Sequence, residues 1–186
     1  TMELSSGLSM LLEALVGTGT ALPQATLNDV ISKVPNTRLE NHPLIITDPE
    51  TRVRHSRGQS LPDWLEMHSG NVDTFPDGVA FPESSEQVRE LLAHAKENNL
   101  VVIPYGGGTS VVGHINPENT DKPILTIDMG KMNTMMSIDT TSQLATFGAG
   151  TPGPIVEEEL KKHGYTLGHF PQSWELSTLG GWVASR

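Results

Sequence analysis

Three consecutive glycines, Gly106, Gly107 and Gly108, stand directly after the run Leu100-Val101-Val102-Ile103-Pro104-Tyr105. Leu100 to Ile103 reads as a buried strand, and the glycines mark where it stops and the backbone turns. With no Cβ through that turn, the chain can take φ > 0, approach a ligand closely and line an anion-binding hollow with successive N–H groups. Thr109 and Ser110 add hydroxyls, and no Lys or Arg occurs between Lys96 and Lys122. A phosphate held here would therefore rest on neutral donors, which suits a pyrophosphate inside a larger ligand. Read alone, the stretch is equally an ordinary glycine-rich turn. It is not a Walker loop, because no Lys follows Gly108. Nor is it a dinucleotide fingerprint, because Val111 takes the place of the third glycine and Gly113 to Asn119 does not read as a helix.

The flanking pattern gives this turn a place. Val79-Ala80-Phe81 is a short apolar strand closed by Pro82, and Ser84 with Gln87 three residues later fits a capping box. Val88, Leu91, Leu92 and Ala95 then follow helical spacing on one face, and Asn98-Asn99 ends the helix. With Leu100 to Ile103 this makes a β-α-β unit with a parallel pair, the glycine turn at the carboxyl end of its second strand. In open α/β sheets ligands bind at that end. Pro123 to Asp128 reads as a third strand, buried on both sides. Met135 to Asp139 and Leu144 to Gly148, flanking Thr140-Thr141-Ser142, read as an antiparallel hairpin. Thr151 with Pro152 opens a further helix carrying Glu157–Lys161 and Glu158–Lys162 pairs, and Gly164 closes it. Gly164 to Arg186 then holds a second loop rich in Ser and Thr, with paired glycines and two tryptophans. Two such loops on one mixed sheet point to a shared ligand.

Before residue 75 the chain says less. Leu8 to Val16 is a short amphipathic helix, interrupted by Glu13 and without a basic leader, so it reads neither as a membrane span nor as a signal peptide. A second helix is expected near Leu27 to Val34, stopping before Pro35, and no chemistry is assigned to residues 1 to 44. Arg52, Arg54 and Arg57 lie within six residues. They could grip a phosphate or carboxylate, or pair with local acids in a solvated loop. With 12 basic and 22 acidic residues the net charge is −10, which opposes binding to nucleic acid. The absence of cysteine removes disulfides, thiolate metal sites and cysteine nucleophiles. The seven histidines show no His-x-x-x-His spacing and no carboxylate set around them, so no metal site is expected. A cytoplasmic location is the default.

Phe81-Pro82-Glu83-Ser84-Ser85-Glu86-Gln87-Val88, then Ile103 to Ser110, then Gly168-His169-Phe170-Pro171 through Ser177-Thr178-Leu179-Gly180-Gly181-Trp182 together resemble the FAD-binding domain of the vanillyl-alcohol oxidase and p-cresol methylhydroxylase superfamily. The order from Gly168 to Trp182 is most similar to alkyldihydroxyacetonephosphate synthases and their bacterial FAD-linked oxidase relatives. Arg54 to Ser60 also resembles the segment those proteins carry before the flavin domain. The resemblance covers about residues 50 to 186. It implies an α+β fold of the p-cresol methylhydroxylase type, with a small parallel β-α-β subdomain leading into a mixed or antiparallel second subdomain, and truncated. Residues 1–74 would form an N-terminal helical and loop segment, and residues 75–186 the first part of the FAD-binding domain.

Carried over by residue, the resemblance implies that Pro104, Tyr105, Gly106, Gly107, Gly108, Thr109 and Ser110 wrap the FAD pyrophosphate. Gln172, Ser173, Trp174, Glu175, Leu176, Ser177 and Thr178 would form a second FAD-contacting loop, and Ser185 and Arg186 the start of a third. Covalent members carry a flavin-linked histidine where Thr109 stands, so the resemblance implies noncovalent FAD. His114 lies outside the motif and reads as a spare loop histidine. The implied activity is that of an FAD-linked oxidoreductase or of a synthase replacing the acyl chain of acyldihydroxyacetone phosphate with a fatty alcohol. The alternatives are an FAD-linked dehydrogenase of 2-hydroxy acids and a nonenzymatic nucleotide-binding module. Partners would be FAD, a small-molecule or lipid-like substrate and, in the full-length protein, a second copy. No catalytic residue is assigned, and the chain alone is expected to be inactive.

Overall fold

Ile124–Asp128, buried along all but its last residue, takes an interior place in a four-stranded sheet, between two parallel neighbours. A computed structural model describes residues 5–185. In chain order the elements are α1 (Ser6–Val16), α2 (Leu27–Ile31), β1 (Ile45–Ile46), α3 (Pro49–Arg54), α4 (Leu61–Ser69) and β2 (Gly78–Ala80). They continue with α5 (Ser85–Glu97), β3 (Val101–Tyr105), β4 (Ile124–Asp128), a 3-10 turn at Met129–Lys131, β5 (Met135–Asp139), β6 (Leu144–Phe147), α6 (Gly153–Lys162) and α7 (Leu179–Ser185).

The sheet order is β1-β2-β4-β3, with β1 antiparallel and the other neighbours parallel. The β-α-β unit therefore forms, but its two strands are not neighbours: β4 lies between them. The crossover through α5 leaves a strand-wide gap, and the later apolar segment fills it. Ile45, Ala80, Leu91, Leu125 and Ile127 make the core between sheet and helix. In α5, Leu91 and Ala95 are buried, but Leu92, expected on the same face, is 48% exposed. A buried strip only one residue wide faces the sheet there.

Local signals differ in detail from their expected partners. Ser84 accepts from Gln87 N at 3.2 Å, but the Gln87 side chain reaches back to Glu83 N at 2.7 Å instead of Ser84 N. Complete capping boxes occur earlier, at Thr26/Asp29 opening α2 and Ser60/Asp63 opening α4. In α6, Lys162 pairs with Glu159 at 2.6 Å. Glu157 instead accepts from Thr166 Oγ1 and from the amides of Leu167 and Gly168, tying down the start of the second loop. Gly164, at φ +78°, ends that helix as expected. Strands β5 and β6 pair antiparallel with a register shift between Met135 and Ser137. Helix α1 forms with Ser5 as its cap and buries none of its residues. No helix among the described residues is long and apolar enough to cross a membrane.

Asp77, 2% exposed, ties the N-terminal segment to the sheet. Its carboxylate accepts from Arg38 N, Nε and Nη2 at 3.0, 2.9 and 2.7 Å and from Ile124 N at 2.8 Å. Burial alone would raise this carboxyl, but the bonds from Arg38 and Ile124 hold it below its ordinary value. A group whose folded pKa lies below its unfolded one stabilises fully above the unfolded value and loses that contribution as pH falls through the folded one. Thermal stability is expected to hold from neutral pH down to about pH 5 and to fall below about pH 4. Asp77→Asn, which cannot titrate, should show a flatter acid limb; equal slopes in melts taken across that range would refute the assignment.

Candidate functional site

Parallel strands β3 and β4 end side by side, Tyr105 opposite Asp128, and the glycine turn leaves the sheet at this edge. Gly108 takes φ +67°. The Tyr105 ring folds back over it, so that a Cβ on Gly108 would strike the phenol oxygen. Burial first, and then the Asp128 charge, push the Tyr105 phenol up, so it stays a neutral hydroxyl at physiological pH.

The second loop lies directly against the first. A Cβ on Gly106 would collide with Thr178 Oγ1, and one on Gly107 with the backbone carbonyl of Leu176. The glycines thus do something that their sequence pattern did not reveal: their bare Cα faces let two loops abut. Ser177 and Thr178 are buried at this junction. Ser177 Oγ accepts from Trp182 Nε1 at 2.7 Å, and Thr178 Oγ1 accepts from Gly181 N at 3.3 Å. Gln172, Ser173, Glu175 and Leu176 are exposed around them, with Ser173 at φ +59°. Trp174 is half-buried against Gly153, and its indole Nε1 is buried with no hydrogen-bond partner among the described residues. Pro104 is exposed at the end of β3, and Thr109 and Ser110 are half-buried. Ser185 lies in α7 with its hydroxyl donating to Gly181 O at 2.8 Å. Arg186 lies outside the described residues.

The electrostatic character of the turn is that of an unspent donor row. Among the described residues, none of the backbone amides from Gly107 to Val112 meets a protein acceptor. The Ser110 carbonyl, by contrast, is taken by Gln59 N at 2.6 Å. A diphosphate supplies the acceptors that such a row lacks, so the residues present fit FAD's pyrophosphate.

The arginine cluster does not open onto this site. Arg52, 2% exposed, donates to Pro76 O at 2.6 Å and Pro35 O at 2.8 Å. Arg57 pairs with Glu66 and Asp73 and also donates to Thr74 O. Arg54 pairs with Glu50 on the surface. Two of the three are thus absorbed as clamps, Arg52 between Pro35 and Pro76 and Arg57 among Glu66, Asp73 and Thr74. Between them, His55 was given no role by sequence reasoning, and it reaches the sheet edge. Its ring is 2.9 Å from Asp128 Oδ2, 2.7 Å from Thr51 O and 4.6 Å, centre to centre, from Tyr105. Only its position between two buried arginines could have flagged it. His114, outside the motif, contacts Ser110 Oγ through Nδ1 at 3.2 Å.

Comparison with known proteins agrees with this geometry. Alkyldihydroxyacetonephosphate synthase of Trypanosoma brucei brucei is 38% identical over 141 residues, and that of Dictyostelium discoideum 40% over 138. These alignments cover 75% and 74% of this chain but only 23% of each relative. A solved alkyldihydroxyacetonephosphate synthase superposes with a TM-score of 0.82 at 33% identity, covering 88% of this chain and 32% of that one. The chain thus spans about a quarter to a third of the proteins it matches. The family described as FAD binding domain matches residues 76–186, and with the two loops of that stretch joined at one sheet edge, the chain belongs to this family of FAD-linked oxidases, with FAD as its cofactor.

Proposed function

We propose that this chain is the pyrophosphate-binding part of an alkyldihydroxyacetonephosphate synthase-like enzyme that holds FAD without a covalent bond. The observation that carries this reading is the row of unspent amides from Gly107 to Val112, backed by the 172–178 loop. Those amides, with the Thr109 and Ser110 hydroxyls, would hold the diphosphate, while Ser177 and Thr178 keep the second loop seated on the first. FAD supplies the redox chemistry through its isoalloxazine ring, and the protein supplies position and electrostatics. Identities of 38% and 40% to two synthases support that activity over oxidation of a 2-hydroxy acid. A lipid-like substrate, and pairing of two copies in the full-length protein, follow from the same reading.

Thr109 offers no imidazole nitrogen for attachment. Acid precipitation of the full-length protein is therefore expected to leave all flavin in the supernatant; yellow protein in the pellet would overturn the noncovalent reading and direct attention to His114. The activity is tested by supplying acyldihydroxyacetone phosphate and a labelled fatty alcohol. Incorporation of label into an ether-linked product supports the synthase. Flavin bleaching by 2-hydroxy acids without incorporation would make the protein a dehydrogenase, and a colourless protein that FAD cannot reconstitute would make it a nonenzymatic module.

A further inference from the structure

The outer side of the glycine turn is held by a segment that the family match does not cover. Gly58 approaches the turn so closely that a Cβ there would lie 2.5 Å from Ser110 O, and Gln59 N donates to that carbonyl. Gly58 N in turn donates to Asn116 Oδ1 at 3.0 Å. The other end of that amide, Asn116 Nδ2, donates to Asp63 Oδ1 at 2.6 Å. The second oxygen, Asp63 Oδ2, accepts from Ser60 N at 2.9 Å and Ser60 Oγ at 2.7 Å. Asp63 is 2% exposed. Burial alone would raise its carboxyl, but the bonds from Ser60 and Asn116 and the Arg57 charge hold it below the ordinary value, so it is ionised.

Asn116 sits at the far end of the same loop as the glycines, its own amide bonded to Gly113 O at 3.0 Å. The chain therefore grips the middle and the far end of residues 106–116 from one short segment: Gln59 on Ser110, and Gly58 on Asn116. We propose that Asp63 and Asn116 are positioning residues for FAD: through Gly58 and Gln59 they fix the shape of the turn whose amides receive the diphosphate. This rests on the reading of that turn as the FAD site. Neither residue touches the cofactor in this account. Each direction of donation is forced, since Gly58 N–H requires an oxygen, and Asn116 must then turn its NH2 toward a carboxylate.

The polarity of the pair gives a sharp test. Asn116→Asp places two carboxylates face to face, and Asp63→Asn sets an NH2 against Asn116 Nδ2 or against Ser60 N–H, or leaves Gly58 N–H unpaired if Asn116 turns over. The exchange Asp63→Asn with Asn116→Asp restores every bond. The amide now at position 63 would accept from Ser60 and donate to the carboxylate now at position 116, which accepts from Gly58 N–H. Net charge is unchanged.

FAD dissociation constants measured by titration of the full-length apoprotein, with thermal melts of the same apoproteins, decide the matter. Each single variant is expected to weaken FAD at least tenfold, and the exchange to return within about threefold of wild type. Single variants that bind FAD as tightly as wild type would overturn the proposal, even if their melts fall, because the contact would then be structural only. Failure of the exchange to restore affinity while its apoprotein melts like wild type would also overturn it. An exchange variant that melts well below wild type and does not regain affinity would equally overturn it, since the restored bonds would not rebuild the turn. Wild-type protein that takes up no FAD would refute the underlying reading of the turn instead.

Discussion

Gly107→Ala is expected to produce a nearly colourless protein. The new Cβ would meet the backbone carbonyl of Leu176, a group that cannot rotate away as a flexible side chain would. Either the 172–178 loop retreats or the glycine turn does, and both movements would disturb the turn proposed to receive the diphosphate. A displacement of this kind is expected to weaken FAD at least a hundredfold, about 2.7 kcal/mol. The flavin-to-protein absorbance ratio of the purified full-length variant, followed by titration with FAD, measures it. Retention of wild-type flavin content would mean that the junction of the two loops is not what holds the cofactor.

The second large effect concerns folding. Arg52→Ala is expected to destabilise the protein by about 3 to 5 kcal/mol. The substitution empties a fully buried volume and strips Pro35 O and Pro76 O of their donor. For a chain of this size that corresponds to a fall in Tm of roughly 10 °C. Differential scanning calorimetry of the apoprotein checks it. Arg52→Lys should recover only part of the loss, since one ammonium cannot reproduce the guanidinium fork. A melting temperature unchanged in the alanine variant would show that Arg52 is not the clamp its burial implies.

These two sites show where sequence was informative. The glycine turn was legible as a turn because three side chains are absent after an apolar strand, and its link to a ligand became legible only beside the second loop and the family resemblance. What the side chains were absent for was only partly visible: their Cα faces meet Leu176 and Thr178, much later in the chain, and no local pattern records that approach. The central strand Ile124–Asp128 was legible from its mostly apolar composition, whereas its insertion between β2 and β3 was not, because strand order depends on which gap a crossover leaves open. The arginines illustrate the opposite limit. Arg52, Arg54 and Arg57 looked equivalent, yet the carbonyls, acids and solvent around them separate two buried clamps from one surface pair. Likewise Asn116 and Asp63 lie 53 positions apart, and each alone is an ordinary polar residue.

The interleaved strand order has a consequence for synthesis. A nascent polypeptide that has emerged only as far as Tyr105 holds two parallel strands that have no ladder between them, because the segment that bridges both has not yet left the ribosome. Sheet closure must wait for residue 128, and until then the apolar faces of Val79, Ile103 and Leu91 stay uncovered. Long-range pairing of this kind is slow and leaves intermediates prone to association, so this is the interval in which a chaperone has most to do.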